Sequence, residues 1–276
     1  MNRSAKRDFL TLWDLCATEL AELLPRADAF KQTRGQGGAP VSVVAGKTLG
    51  MIFEKPSTRT RVAFEVAMFE LGGYAVYLAP TGTQIGRGEP LSDTARVLAS
   101  YCHGIVIRTF AQARAMELAR YASVPVLNGL TDDYHPCQVV ADLLTVYQKK
   151  GVAVGPRYAW IGDGNNMAHS WIDAAAILGL DLVLACPDGH APAPQVVQRA
   201  RDHIAKTGKG RIELVRDPGT AARGADVVST DVWASMGQEE QAQARRRAFL
   251  PYAVDDALVS LAAPDVVVLH CLPAHR

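Results

Sequence analysis

Five consecutive residues, Ser57-Thr58-Arg59-Thr60-Arg61, set two guanidiniums and three hydroxyls shortly after the apolar run 48–53. Helical spacing over 62–71 follows, so the order reads strand, short turn, helix start. The free N–H groups of a helix's first turn add to these side chains, and together they can hold a phosphate-sized dianion. The bland alternative is a solvated helix start, with Ser57 as N-cap in either case. A second set, His135-Pro136-Cys137-Gln138, opens the helical segment 139–147, with proline near the first helical position where its missing N–H costs nothing. Residues three apart share a helix face, so His135 and Gln138 can aim donors at one carbonyl oxygen and hold a developing oxyanion. A histidine that only caps its helix is the competing reading.

Three further groups fall at the ends of apolar runs. Arg108 follows 104–107; Asp231-Val-Trp-Ala-Ser235-Met236-Gly237 follows 227–229 and offers a carboxylate, a hydroxyl and a Gly-loosened backbone suited to a zwitterion. His270-Cys271-Leu272-Pro273 closes the run 266–270 with a lone thiol, a residue type more often packed than reactive. Gly162-Asp-Gly-Asn-Asn166-Met167 lies between a strand and a helix, where a dinucleotide fingerprint would lie. The match is poor: Met167 occupies a position that needs a small residue, and the next strand ends in Ala185-Cys186-Pro187 without an acid for a ribose. Asn165 and Asn166 remain able to bind a carboxylate or to cap a helix.

The elements that must position these residues alternate. An amphipathic helix over 10–31 precedes strands at 49–53, 75–78, 104–107 and 124–127, then a second series at 158–161, 182–185, 212–215, 227–229 and 266–270, with helix-length sequence between most of them. Such alternation builds doubly wound parallel sheets flanked by helices, an α/β class whose ligands collect at the carboxyl ends of strands. With 276 residues, two domains with a cleft between them are expected. Lys plus Arg number 29 against 28 Asp plus Glu, a balance that offers no field for nucleic acid or an anionic membrane. Five scattered cysteines without Cys-x-x-Cys spacing argue against a disulfide framework or zinc cluster and for a reducing cytoplasm. The N-terminus lacks an apolar signal core, and no apolar run is long enough to span a bilayer. The polar stretch 80–90 reads as a long exposed loop.

Taken together, these six ordered motifs resemble the aspartate/ornithine carbamoyltransferase family, and Asp231 to Gly237 with His270-Cys-Leu-Pro273 resembles its ornithine branch. The resemblance covers nearly the whole chain. It implies a carbamoyl-phosphate-binding domain over 1–147 and an ornithine-binding domain over 148–276, with the active site in the interdomain cleft. Ser57, Thr58, Arg59 and Thr60 would hold the phosphate; Arg108, His135 and Gln138 the carbonyl end, with Cys271 and Leu272 also at carbamoyl phosphate. Asn166, Asp231, Ser235 and the Met236 backbone would grip ornithine. Gln84 would reach carbamoyl phosphate across a subunit boundary of a homotrimer with shared active sites. The chain ends three residues after Pro273, and the further C-terminal helix that the resemblance implies has no counterpart in it.

The implied reaction is attack of the neutral δ-amine of L-ornithine on the carbamoyl carbon, giving L-citrulline and phosphate, in arginine biosynthesis or its reverse in arginine degradation. Arg108, His135 and Cys271 would be catalytic, Cys271 as proton acceptor or as a positioning group, with no metal or organic cofactor. A carbamoyltransferase for another amine, such as putrescine or an acylated ornithine, would need a changed Asp231 loop. A non-catalytic relative would have lost a phosphate arginine or His135, and a nicotinamide dehydrogenase lacks its fingerprint.

Overall fold

The computed structural model describes residues 6–36, 42–79, 88–233 and 242–274. The chain forms two compact units, Met1–Leu15 with Ala27–Cys137 and Cys16–Arg26 with Gln138–Arg276. The domain division expected after residue 147 lies near the end of the helix Pro136–Lys150, and the break at Cys137 lies at the start of the same helix.

In the first unit, strands β1 (Thr48–Phe53), β2 (Tyr74–Leu78), β3 (Gly104–Arg108) and β4 (Val126–Leu130) form a parallel sheet in the order β2-β1-β3-β4. The two-residue period of β1 sends its side chains to opposite faces. Leu49, Met51 and Phe53 pack with Phe64 and Met68 of α2 (Thr58–Glu70), while Ile52 packs with residues of α3 (Leu91–Tyr101) and α4 (Gln112–Tyr121). Because β1 has neighbours on both sides, the winding reverses between β1 and β3, and the carboxyl ends of those two strands border a topological switch point.

The second unit repeats this logic with β5 (Arg157–Ile161), β6 (Asp181–Ala185), β7 (Arg211–Val215), β8 (Val227–Thr230) and β9 (Val267–His270), all parallel in the order β7-β6-β5-β8-β9. Its reversal lies between β5 and β8. Helix α6 (Asn166–Leu178) buries every residue from Met167 to Leu178, and Trp171 packs on Tyr158 with ring centroids 5.3 Å apart. Helix α5 (Pro136–Lys150) carries the chain from the first unit into the second, whereas α1 (Ala17–Gly35) begins in the second and ends in the first.

Two expected elements differ. The single helix over 10–31 is instead a 3-10 turn at Leu12–Asp14 followed by α1. The Asp14 carboxylate accepts from the Leu10 and Thr11 amides, and Glu19 accepts from Cys16, so side chains compete for the donors a continuous helix would use. Strand β4 begins two residues later than expected and runs to Leu130. Pro125 lacks a donor, and Gly129 is an extra residue opposite Ile107/Arg108. A Cβ on Gly129 would meet Val106 Cγ1 at 3.1 Å, so a larger residue at this bulge beside Arg108 would require Val106 to give way by a few tenths of an ångström.

Candidate active site

At the first unit's switch point, Ser57 caps α2: its Oγ accepts from the Thr60 amide at 3.3 Å and donates to Thr60 Oγ1 at 3.0 Å. Thr58 and Arg59 are exposed in the first turn. Arg108 ends β3, is 8% exposed, and donates from Nη1 to Thr60 Oγ1 at 3.3 Å. Its carbonyl accepts from the Glu54 amide at 2.8 Å, so main chain and guanidinium both tie β3 to the turn after β1. The Ser57 and Thr60 hydroxyls, the Arg108 guanidinium and the α2 N-terminus therefore share one place, groups of the kind that can hold an anion. Arg61 departs from the expectation of a second anion-facing guanidinium: Glu65 takes its Nε at 2.9 Å, and its charge lies 3.7 Å from the Tyr77 ring centroid.

Lys55 and Glu54 escaped the sequence reading. Lys55 is 6% exposed, pairs with Asp132 and lies 4.6 Å from the Phe110 ring centroid. Glu54 accepts from Arg114 Nε at 3.0 Å and bonds Thr109, bracing the same turn. Replacing Ser57 with alanine removes the α2 cap, worth about 1 kcal/mol. The expected result in scanning calorimetry is a melting temperature lowered by roughly 2–4 °C.

His135 directly precedes α5, and the Cys137 thiol donates to the Asn128 carbonyl at 3.4 Å, holding the helix start to β4. Burial, and then the positive charge of Arg108, push the His135 imidazole down to about 3. It is neutral at physiological pH and offers one N–H without repelling Arg108. Because its folded value lies below the ordinary 6.5, the stability it contributes is complete above pH 6.5 and is lost as pH falls from there toward 3. Urea midpoints taken between about pH 6.5 and 4.5 are expected to show His135→Asn losing a slope of roughly 1.4 kcal/mol per pH unit relative to the parent. Burial pushes the Cys137 thiol up to about 12, so it is a structural donor.

Gln138 lies in the first turn of α5 and donates from Nε2 to Asp142 Oδ1 at 2.9 Å. Asp142, absent from the sequence reading, is 8% exposed; burial raises its carboxyl to about 6, Gln138 opposing and the charge of Asp231 adding to the shift.

At the second unit's switch point, Asn165 caps α6 through the Met167 and Ala168 amides at 2.9 and 3.3 Å, and donates from Nδ2 to Asp231 Oδ2 at 2.9 Å. Asn166 is the first residue of α6. Asp231 follows β8, is 9% exposed, and also accepts at Oδ1 from the Val232 amide at 2.7 Å and from Cys271 Sγ at 2.8 Å. Burial and the negative charge of Asp231 drive the Cys271 thiol far above its ordinary range. The expectation of Cys271 as a proton acceptor in its own right is therefore corrected: beside a carboxylate it is a donor. One ligand atom each of Asp231, His270 and Cys271 lies within 4.8 Å of the others, a donor set a soft divalent ion could use only after ionising that thiol. Leu272 is 62% exposed.

The glycines after β5 serve packing. A Cβ on Gly164 would meet Pro192 N at 2.2 Å, and Gly162 has φ 142°. Asp163 between them pairs with Arg245 of α9 (Ala242–Phe249), itself 6% exposed, which also donates to the Trp233 carbonyl and stacks on Phe249 at 4.9 Å. This guanidinium ties the segment just after Asp231 to the β5 turn. Gln84, Ser235 and Met236 lie outside the described residues.

Residues 7–148 match the family described as Aspartate/ornithine carbamoyltransferase, carbamoyl-P binding domain, and residues 154–276 match its Asp/Orn binding domain. The ornithine carbamoyltransferase of Pelobacter propionicus is 54% identical over 270 residues, spanning 98% of this chain and 87% of that protein. That of Geobacter sulfurreducens is 52% identical over 98% of this chain and 88% of its own length. The solved ornithine carbamoyltransferase of Pyrococcus furiosus superposes with a TM-score of 0.93 at 49% identity, covering 99% of this chain and 86% of that one.

Proposed function

The chain belongs to the aspartate/ornithine carbamoyltransferase family, and we infer that it moves the carbamoyl group of carbamoyl phosphate to the δ-amine of L-ornithine, giving L-citrulline and phosphate. The observation that carries this reading is the Asp231 centre, a buried carboxylate at a switch point that gathers Asn165, Cys271 and a main-chain N–H and presents one negative charge to an amino acid. The α2 N-terminus with Ser57, Thr58, Arg59 and Thr60 receives the phosphate. Arg108 and neutral His135 receive the carbonyl oxygen, the first supplying charge and the second a hydrogen bond, which stabilises the oxyanion of the tetrahedral intermediate. Asn166, with Asp231, grips the α-amino and α-carboxylate groups of ornithine.

The δ-amine must lose a proton before it attacks, at a cost of roughly 4 to 5 kcal/mol for an ordinary alkylammonium at neutral pH. In our reading the Cys271 sulfur takes that proton as its own moves to Asp231, so the carboxylate, not a free thiolate, is the final acceptor. The amine's lone pair then bonds the carbamoyl carbon, and the intermediate collapses as the C–O bond to phosphate breaks, the second proton of the attacking nitrogen passing to the departing phosphate. A citrulline-formation assay offering ornithine, putrescine and aspartate separately tests the substrate: turnover with ornithine alone is expected, and turnover with putrescine or aspartate instead overturns the assignment.

A homotrimer is the assembly we propose. Helix α2 buries none of its residues although it carries Val62 and Phe69, and Phe69 and Tyr74 are 77% and 68% exposed, which supports a second copy covering this face. Sedimentation equilibrium showing a monomer would remove that proposal. We place the activity in the cytoplasm, on the support of five free cysteines; cell fractionation that finds it elsewhere overturns this.

A further inference from the structure

The Gln138–Asp142 pair decides which edge of an amide faces the substrate. A primary amide has a donating and an accepting side, whereas a carboxylate only accepts. With Asp142 Oδ1 2.9 Å from Gln138 Nε2, the amide nitrogen is turned to Asp142 and Oε1 points away from it. Asp142 is 8% exposed and one helical turn along α5, so little water competes for the contact and the helix sets its spacing. The carbamoyl group itself has two edges, a carbonyl oxygen and an NH2. Gln138 was expected to donate to the carbonyl oxygen, but with one of its two N–H groups held by Asp142 the amide is oriented so that Oε1 stands as its accepting group, and the substrate group complementary to Oε1 is the NH2.

We propose that Asp142 is a specificity-determining positioning residue, which by orienting Gln138 makes the enzyme prefer carbamoyl phosphate to acyl phosphates of the same shape that lack the NH2. This rests on the reading that Gln138 meets the carbamoyl end of the substrate. A buried acceptor left without its donor opposes the analogue, and the effect of one such hydrogen bond is about tenfold in discrimination.

The test compares the parent with Asp142→Ala, Asp142→Asn, Gln138→Ala and the double variant Asp142→Ala/Gln138→Ala at about pH 8, where the Asp142 carboxyl is ionised. The readout is the acetyl phosphate inhibition constant divided by the KM for carbamoyl phosphate, at saturating ornithine. Inorganic phosphate inhibition and melting temperature are measured alongside. The expected result is that Asp142→Ala and Gln138→Ala each lower the ratio about tenfold, that Asp142→Asn, which keeps one accepting oxygen for Gln138, lowers it less, that the double variant lowers it no further than Gln138→Ala, and that inorganic phosphate binding stays intact. If Gln138→Ala lowers the ratio and Asp142→Ala leaves it unchanged, the positioning role is wrong. If Gln138→Ala leaves it unchanged, the reading of Gln138 fails and takes the proposal with it. A ratio that falls only together with phosphate binding and melting temperature assigns Asp142 to structure and overturns the proposal.

Discussion

Arg108→Met is expected to lower kcat/KM for carbamoyl phosphate by about a thousandfold, close to 4 kcal/mol, because in the proposed mechanism one guanidinium serves both the bound substrate and the developing oxyanion. Charge-assisted hydrogen bonds contribute about 1.5–3 kcal/mol each, and losing one donor aimed at an oxyanion alone lowers turnover by roughly 10²–10³. Methionine keeps the length and apolar stem of the side chain at the end of β3, so the 8% exposed position stays filled while charge and donors disappear. Lysine is a poor substitute, since it cannot reproduce the planar fork. The same variant carries a second signature: the Arg108 charge helps hold the His135 imidazole low, so its removal moves the His135 titration upward, with burial still keeping it below the ordinary range. Steady-state kinetics and a histidine NMR titration read the two effects separately. Arg61→Met is the contrast, expected to lose less than about tenfold, since that guanidinium already serves Glu65 and Tyr77. An Arg108→Met enzyme within tenfold of the parent would contradict the oxyanion role.

Asp231→Asn is expected to lower kcat/KM for ornithine by about 10²–10³ while leaving inorganic phosphate inhibition unchanged. Two losses combine. Removing one partner of a buried charge pair costs about 3–5 kcal/mol, and the α-ammonium of ornithine would be left without its counterion. The protein side loses as well, since Asn165 Nδ2, the Val232 amide and the Cys271 thiol converge on the two carboxylate oxygens. An amide offers a single accepting oxygen, so at least one buried donor goes without, at about 1–3 kcal/mol. Cys271→Ser keeps a donor to Asp231 and is expected to lose only about tenfold. Equal losses for Cys271→Ser and Asp231→Asn would instead make the sulfur the centre of the chemistry.

Local rules found much of this in the amino-acid order. Serine before a helical run is an N-cap wherever that helix lies, so Ser57 was legible. Alternating apolar runs and helix-length spacers point to parallel sheets flanked by helices, and a polar residue just past such a run falls at a strand's carboxyl end. That reasoning placed Arg108, Asp231 and Cys271 at sheet edges. What remained hidden depends on partners far along the chain. Arg61 looked like a twin of Arg59 until Tyr77, from another strand, lay under it. The break after Asp14 follows from individual hydrogen bonds, the late start of β4 from Pro125, and its bulge from Gly129 opposite Ile107/Arg108, none of which has a period to detect.

The order of residues by itself determined the fold class, the Ser57-capped helix start and the family, because each rests on contacts between near neighbours or on motifs read whole. Only the tertiary structure decided protonation and hydrogen-bond direction. Cys271 is a donor because Asp231, forty positions away, is held against it. His135 is neutral because folding buries it beside Arg108, and Gln138 turns its nitrogen inward because Asp142 is buried against it. Charge state and amide orientation follow from solvent exclusion and nearby charge, quantities that exist only once the chain has folded.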